Sequence, residues 1–527
     1  MSAFLRFRRD NIYTPPMIKT AMNIYENFAR QARKRPQKAA VVNPDGEDVT
    51  YGELRAQAEA VAAFIDEETE PGDRVAAHML DNPTFVAVAL GSWRAGRVFM
   101  PVNYRFAVDE VAYVLDDVEP SLVVHDAVFA STAESAVENA DTDAELVQGH
   151  AGGFHVDVFG DTEDASEPET GLDDEPAVVM HTSGTTGDPK GVVQTHRNVG
   201  AQVGAGVTTY DVTDEDIAVV SVPLFHVGGF HGATLMSLFT GGSFVVHPAW
   251  DAAEWARLVE KSEATVTGLV PAMMVDALGN EAAREYDTSS LSMSFYGGSP
   301  AAESTLDEFE EIFDVDHLLN YYGQTEASGL TVAGTPDTPR TEGALGKPVQ
   351  TVEARVVESE TGDDVEEGEQ GELWLRGDSV MPRYWNAPER TERAFEIDAQ
   401  SGESWFRTGD VVRRREGVFY FVDRLDDIIL SGGEKVAPSR VEDALTEMEG
   451  VEAVAVFGTP DDRLGEKVTA AVIGDNKLTA DEVKSFCDEH DALAGYEKPR
   501  TVHLVESLPR TGSQKVDKTA LVDELSD

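Results

Sequence analysis

Short apolar runs alternate with helical patterns along the first 270 residues, and this alternation limits the folds open to the chain more than any other feature. Runs at 75–79, 121–125, 177–181, 217–223, 243–247 and 264–270 have the length and β-branched content of buried strands. Helical stretches such as 51–65 and 82–95 lie between them. In the second, Asn82 suits an N-cap and Pro83 the first helical position. A helix at 21–35 is marked by Ile24, Phe28 and Ala32 and ended by Pro36. Strands alternating with helices predict parallel, doubly wound sheets. After about residue 340 the pattern shifts to shorter β runs at 353–357, 371–376 and 417–422, which predict a β-rich subdomain. The stretch from 427 to 527 reads as a small α+β unit. The expected class is α/β, with a large N-terminal domain over residues 1–425 and a small C-terminal domain over 426–527.

The chain's 527 residues are too many for one typical core. Its 97 acidic residues against 42 basic ones give a net charge of −55, spread along the whole sequence. Such a polyanion repels nucleic acid and anionic lipid. Dispersed acidity also suits a surface held at high salt, where screening removes the self-repulsion, so a halophilic source is expected. The acidic stretch 160–176 reads as an exposed loop before a strand. Cys487 is the single cysteine, which rules out an intrachain disulfide, and Asp488 and Glu489 beside it disfavour a thiolate. No secretory signal or transmembrane span is legible, so the expectation is a soluble cytoplasmic protein.

The run 177–180 leads into HTSGTTGDPKG. Hydroxyls of Thr182, Ser183, Thr185 and Thr186 interleave with Gly184, Gly187 and Gly191, and Lys190 adds a cation. Glycines let the backbone approach an anion while hydroxyls and N–H groups donate to it, as a polyphosphate requires. This is not the P-loop of kinases, because Lys190 stands between Pro189 and Gly191 rather than before a Ser or Thr. Nor is it a dinucleotide fingerprint: Gly204 and Gly206 are followed by Thr209 where a third glycine should stand.

TSGTTGDPKG resembles the signature loop of the acyl-adenylate-forming superfamily, which includes acyl-CoA synthetases, luciferases and adenylation domains. Further motifs follow in that family's order: YGGSP at 296–300, YGQTE at 322–326, FRTGD at 406–410, DRLDD at 423–427, SGGEKVAP at 431–438 and PRTGSQK at 509–515. The resemblance implies an AMP-forming carboxylic acid–CoA ligase that uses ATP, Mg²⁺ and CoA. It also implies that the C-terminal domain is mobile and rotates between the two half-reactions about Asp426.

On this resemblance Lys515 bridges the carboxylate and the α-phosphate, Thr325 contacts the α-phosphate, and Glu326 with Thr182 holds Mg²⁺. Thr182, Ser183, Gly184, Thr185, Thr186, Gly187 and Lys190 receive the phosphates. Gly297, Gly298, Ser299, Asn320, Tyr321 and Tyr322 line the adenine, and Gly323 and Gln324 also bind the nucleotide. Asp410 accepts the ribose hydroxyls, a fit for a carboxylate facing a vicinal diol, and Arg424 contacts ribose or phosphate. Ser431, Gly432 and Gly433 face CoA. The segment PLFHVGGFHG at 223–232 resembles the acyl-site helix, with His226 near the carboxylate and Val227, Phe230, Gly298 and Ala327 around the acid. Two departures stand out: Gln514 where the family usually has Gly, and Ala437 where relatives often carry a bulkier residue. The expected acid is a medium- or long-chain fatty acid. An aryl acid, or a stand-alone enzyme loading a carrier protein, is the alternative. A homodimer is one expectation for the assembly. His226 and His231 have no third metal ligand near in sequence. A serine-hydrolase elbow at Ser299 fails because Pro300 lacks the N–H that the oxyanion would need.

Overall fold

Local chemistry sets the ends of the helices. Asn82 accepts the Phe85 N–H at 3.0 Å and Pro83 opens the helix Pro83–Arg94, which is buried on every side. Thr50 and Glu53 form a reciprocal capping box ahead of the helix Tyr51–Glu68. The first helix, Ile24–Lys34, starts at the cap Asn23 and stops before Pro36. The computed structural model describes residues 23–150, 168, 170–182, 189–341, 343–398, 401–448, 450–461, 463–474, 478–490, 493–509 and 516–525. Most of the acidic stretch 160–176 lies outside them.

The described residues fall into two compact units. One takes in residues 23–182, 189–354 and 375–406. In its first sheet Val98–Pro101, Arg74–His78, Leu122–Asp126 and Glu145–His150 run parallel beside Pro176–Thr182. Parallel strands need crossovers, and the helices Pro83–Arg94 and Val108–Val118 supply two of them. Beyond Pro176–Thr182 the direction reverses: Lys190–Thr195 returns antiparallel, and the two-residue strand Arg383–Tyr384 pairs on its far side.

The second sheet of this unit runs parallel through Ala39–Val41, Ser243–Val246, Ile217–Val220, Val266–Leu269, Met293–Gly297 and Leu318–Gln324. Gly329–Ala333 then folds back antiparallel. Its core packs Trp255, Phe309 and Phe313 against Val219, Val245 and Leu269. The doubly wound expectation therefore holds for the central strands, while an antiparallel return follows the strand ends that carry the signature motifs.

The other unit contains residues 355–374 and 407–525. A hairpin pairing residues 410–415 with 418–424 turns at Glu416 and Gly417, both at positive φ, as a type I′ turn requires. A separate sheet orders Glu434–Val436, Ile429–Ser431, Gly465–Gly474 and Val451–Asp461, with Thr501–Leu504 parallel to the third of these. Cys487 is buried in that sheet's core, where burial pushes its thiol up to about 11, so it stays protonated. Among the described residues no helix is long and apolar enough to cross a membrane.

Candidate active site

The strand Pro176–Thr182 delivers Thr182 to its end, and the returning strand places Lys190 directly opposite. Ser183, Gly184, Thr185, Thr186 and Gly187 lie outside the described residues. The Lys190 ammonium sits 5.9 Å from the centre of the Tyr384 ring. Tyr384 is sewn to this strand opposite Val192, and its phenol donates to Glu326 Oε1 at 2.9 Å. Lys190 and Glu326, 136 residues apart in sequence, thus meet at one tyrosine that belongs to none of the motifs, with Thr182 paired opposite Lys190. A signal for it could only have come from pairing of the short strand, which has no periodicity to read.

Thr325 and Glu326 occupy a single 3₁₀ turn, Thr325–Ala327, at the end of Leu318–Gln324. The chain leaves it through Ser328 at φ 58°, a left-handed conformation that costs a non-glycine residue about 1–2 kcal/mol. Neighbours hold the turn: Gln194 Nε2 donates to the Thr325 carbonyl at 2.8 Å and the Met381 N–H to the Glu326 carbonyl at 2.7 Å. Ala327 is fully buried beneath it.

On the expected adenine side, Gly297 lies opposite Tyr321 in parallel register. A Cβ at Gly297 would overlap the Tyr321 carbonyl oxygen, so only glycine fits. Gly298 follows at φ 83°, and Gly298 and Ser299 are exposed. Asn320, Tyr322, Gly323 and Gln324 are half-buried along the strand end. The Tyr321 hydroxyl accepts from Gln202 Nε2 at 2.7 Å, and burial raises its pKa far above the usual phenol range. The phenol is therefore neutral.

His226 is half-buried at the start of the short helix Val227–Gly229, its ring 4.4 Å from that of Phe225. Val227 is half-buried beside it. Phe225 meets Tyr104 edge-on at 5.1 Å. Phe230, expected around the acid, is fully buried in the core instead. It stacks on Trp93 at 5.7 Å and touches Phe85 and Phe99. Upstream, the Leu224 N–H donates to Asp81 Oδ1 at 2.9 Å, and burial pushes the Asp81 carboxyl up to about 7.

In the other unit Asp410 and Arg424 are partners across the hairpin and form an ion pair at 2.9 Å. Asp410 is buried while Arg424 is partly exposed. Asp426 is exposed on the turn Leu425–Asp427. Gly432 and Gly433, at φ 63° and 90°, are the two turn residues between Ile429–Ser431 and Glu434–Val436, while Ser431 is buried. Ala437 is also buried, packed on Val411 and Val422. Lys515 and Gln514 lie outside the described residues.

A divalent metal would find one carboxylate here: Glu326 keeps Oε2 while Tyr384 engages Oε1. No cluster of three or more His, Cys, Asp or Glu ligands exists among the described residues. Carboxylate and hydroxyl oxygens, few in number, match a hard ion such as Mg²⁺ that takes its remaining ligands from phosphates and water.

A family model described as AMP-binding enzyme matches residues 28–385, and a second, for the AMP-binding enzyme C-terminal domain, matches 440–515. The chain is 32% identical to the feruloyl-CoA synthase of an Amycolatopsis species over 93% of its own length and 96% of the relative's. It is 30% identical to the long-chain-fatty-acid–CoA ligase FadD13 of Mycobacterium tuberculosis, covering 96% and 99% of the two chains. Among solved structures, ATP-bound MatB from Rhodopseudomonas palustris superposes with a TM-score of 0.84 at 28% identity, covering 96% and 99% of the two chains.

Proposed function

We infer the reaction from the premise that this chain belongs to the AMP-binding enzyme family and is an acid–thiol ligase. In the proposed first half-reaction a carboxylate oxygen attacks the α-phosphorus of ATP, and pyrophosphate leaves as the acyl-adenylate forms. In the second, the CoA thiol attacks the acyl carbonyl, loses its proton, and expels AMP as the thioester forms. The meeting of Lys190 and Glu326 at Tyr384, with Thr182 opposite Lys190, supports the first step most directly.

Both first-step reactants are anions, so catalysis there is charge neutralisation and positioning. Lys190 supplies a cation opposite Thr182, and Thr325 offers a hydroxyl on the clamped turn. Glu326 and Thr182 are the proposed Mg²⁺ ligands; the ion supplies charge neutralisation on the phosphates. Asp410 receives the ribose hydroxyls, with Arg424 orienting it. Lys515 completes adenylation, and a rotation about Asp426 then brings Ser431, Gly432 and Gly433 toward CoA.

The proposed acid is a medium- or long-chain fatty acid, consistent with the likeness to a fatty-acid ligase. An aryl acid is the second reading. The Phe225 ring beside His226, with Tyr104 packed on Phe225, and the likeness to a feruloyl-CoA synthase favour it. The test is acid-dependent AMP release from ATP at molar KCl, across fatty and aryl acids, with and without CoA. AMP and acyl-CoA appearing together support the ligase and rank the acids. AMP formation indifferent to CoA points to carrier-protein loading, and no AMP with any acid overturns the reading.

A further inference from the structure

The turn that carries Thr325 and Glu326 is fixed through its carbonyls. Gln194 holds the first and the Met381 N–H the second. A third brace comes from His231, whose Nδ1 lies 3.0 Å from the Ser328 carbonyl oxygen. Ser328 is the left-handed residue through which the turn exits, and its own N–H closes back on the Thr325 carbonyl at 3.0 Å. The Ser328 carbonyl therefore controls the geometry of a conformation that the backbone does not favour by itself.

His231 is 0% exposed, and burial lowers its pKa to about 4. The neutral ring has one N–H, and because a carbonyl only accepts, that hydrogen sits on Nδ1. Nε2 is left as a buried acceptor with no partner. A leucine would fill similar space without that penalty.

His231 also sits on a distinctive element. It is the second residue of the π-helical segment Phe230–Leu235, directly after the short helix that His226 opens. Such segments re-aim side chains within a helix and recur at functional sites. One ring therefore joins the segment beside the proposed acid site to the proposed phosphate-binding turn.

We propose that His231 is a positioning residue for adenylate formation: its Nδ1–H fixes the Ser328 carbonyl, and so registers Thr325 and Glu326 against the segment bearing His226. This role rests on the adenylate-forming reading above. His231 touches neither reactant and acts through the turn.

Three variants separate the donor from mere bulk. Asparagine places its amide nitrogen where Nδ1 was, whereas glutamine reaches toward the Nε2 position and leucine has no donor. His231→Leu and His231→Gln are expected to lower kcat for acid-dependent pyrophosphate release about tenfold or more, with the KM for the acid within about twofold. His231→Asn is expected to stay within about threefold of the parent. Amide hydrogen exchange over 325–330, measured without acid, ATP or CoA, is expected to quicken about tenfold in the first two variants and not in the third. Exchange in the core strand Val266–Leu269 should be unchanged in all three. Parent-like exchange over 325–330 in His231→Leu overturns the proposal, as does an asparagine variant as impaired as the leucine one. If the parent makes no adenylate with any acid, the adenylate-forming reading fails while exchange still judges the clamp. Should the variants not fold, nitrogen-15 shifts of the parent's labelled histidines decide: a neutral His231 protonated on Nε2 sinks the idea.

Discussion

Replacing Tyr384 by phenylalanine isolates one atom of the candidate site. The ring remains, so the stacking beneath Lys190 at 5.9 Å is kept, and only the phenol that donates to Glu326 Oε1 at 2.9 Å is lost. Hydrogen bonds to charged groups contribute about 1.5–3 kcal/mol, and each 1.36 kcal/mol is a factor of ten in rate. The pair is only part-buried, so water can replace some of the loss, and the lower end applies. The expected effect of Tyr384→Phe is about a tenfold fall in kcat/KM for ATP in acid-dependent pyrophosphate release. The KM for the acid and the melting temperature should barely move. A double-mutant cycle with Glu326→Gln should give a coupling of about 1 kcal/mol or more, because both changes remove the same bond. Unchanged ATP kinetics in Tyr384→Phe, or additivity in the cycle, would show that this tyrosine does not orient the carboxylate.

Three further outcomes are expected. Between about pH 4 and about 7 the folded chain keeps a proton on Asp81 that the unfolded chain has released, so stability falls as pH rises through that window. Asp81→Asn should flatten this slope and stabilise the chain at pH 8 by on the order of 2 kcal/mol, read by urea unfolding at pH 5 and 8; an unaltered slope speaks against the assignment. Gly297→Ala must displace the Tyr321 carbonyl, and should cost about 1–3 kcal/mol of stability and weaken ATP binding, measured by unfolding and calorimetry. Lys515→Ala should abolish adenylate formation yet largely spare thioester formation from supplied acyl-adenylate, and survival of both half-reactions would remove Lys515 from the chemistry.

Several elements were legible because their signals are local. Asn82 and Pro83 mark a helix start through one side chain and one ring, and both act as their chemistry predicts. The motif residues Thr182, Lys190 and Glu326 were legible as types suited to phosphate and metal. The meeting of Lys190 and Glu326 was not, because Tyr384 meets Glu326 across 58 residues and carries no motif of its own. The antiparallel return at Lys190–Thr195 was equally hidden: buried valines fit a strand of either direction, and pairing decides. Phe230 shows the converse failure. Its place in an acyl-site motif suggested a pocket wall, yet the aromatic neighbours Phe85, Trp93 and Phe99, all upstream in the chain, draw it into the core.

The short strand Arg383–Tyr384 has a consequence for synthesis on the ribosome. It pairs with Val192 and Val193 on the far side of Lys190–Thr195. From residue 195 to residue 383 the ribosome must add 383 − 195 = 188 residues. At about 5–20 residues per second, that edge of the first sheet stays open for roughly 10–40 seconds. An open apolar edge is a template for pairing with another chain. Val192 and Val193 are therefore the last positions of the first sheet to gain a partner strand, and until then they are open to pairing with another chain.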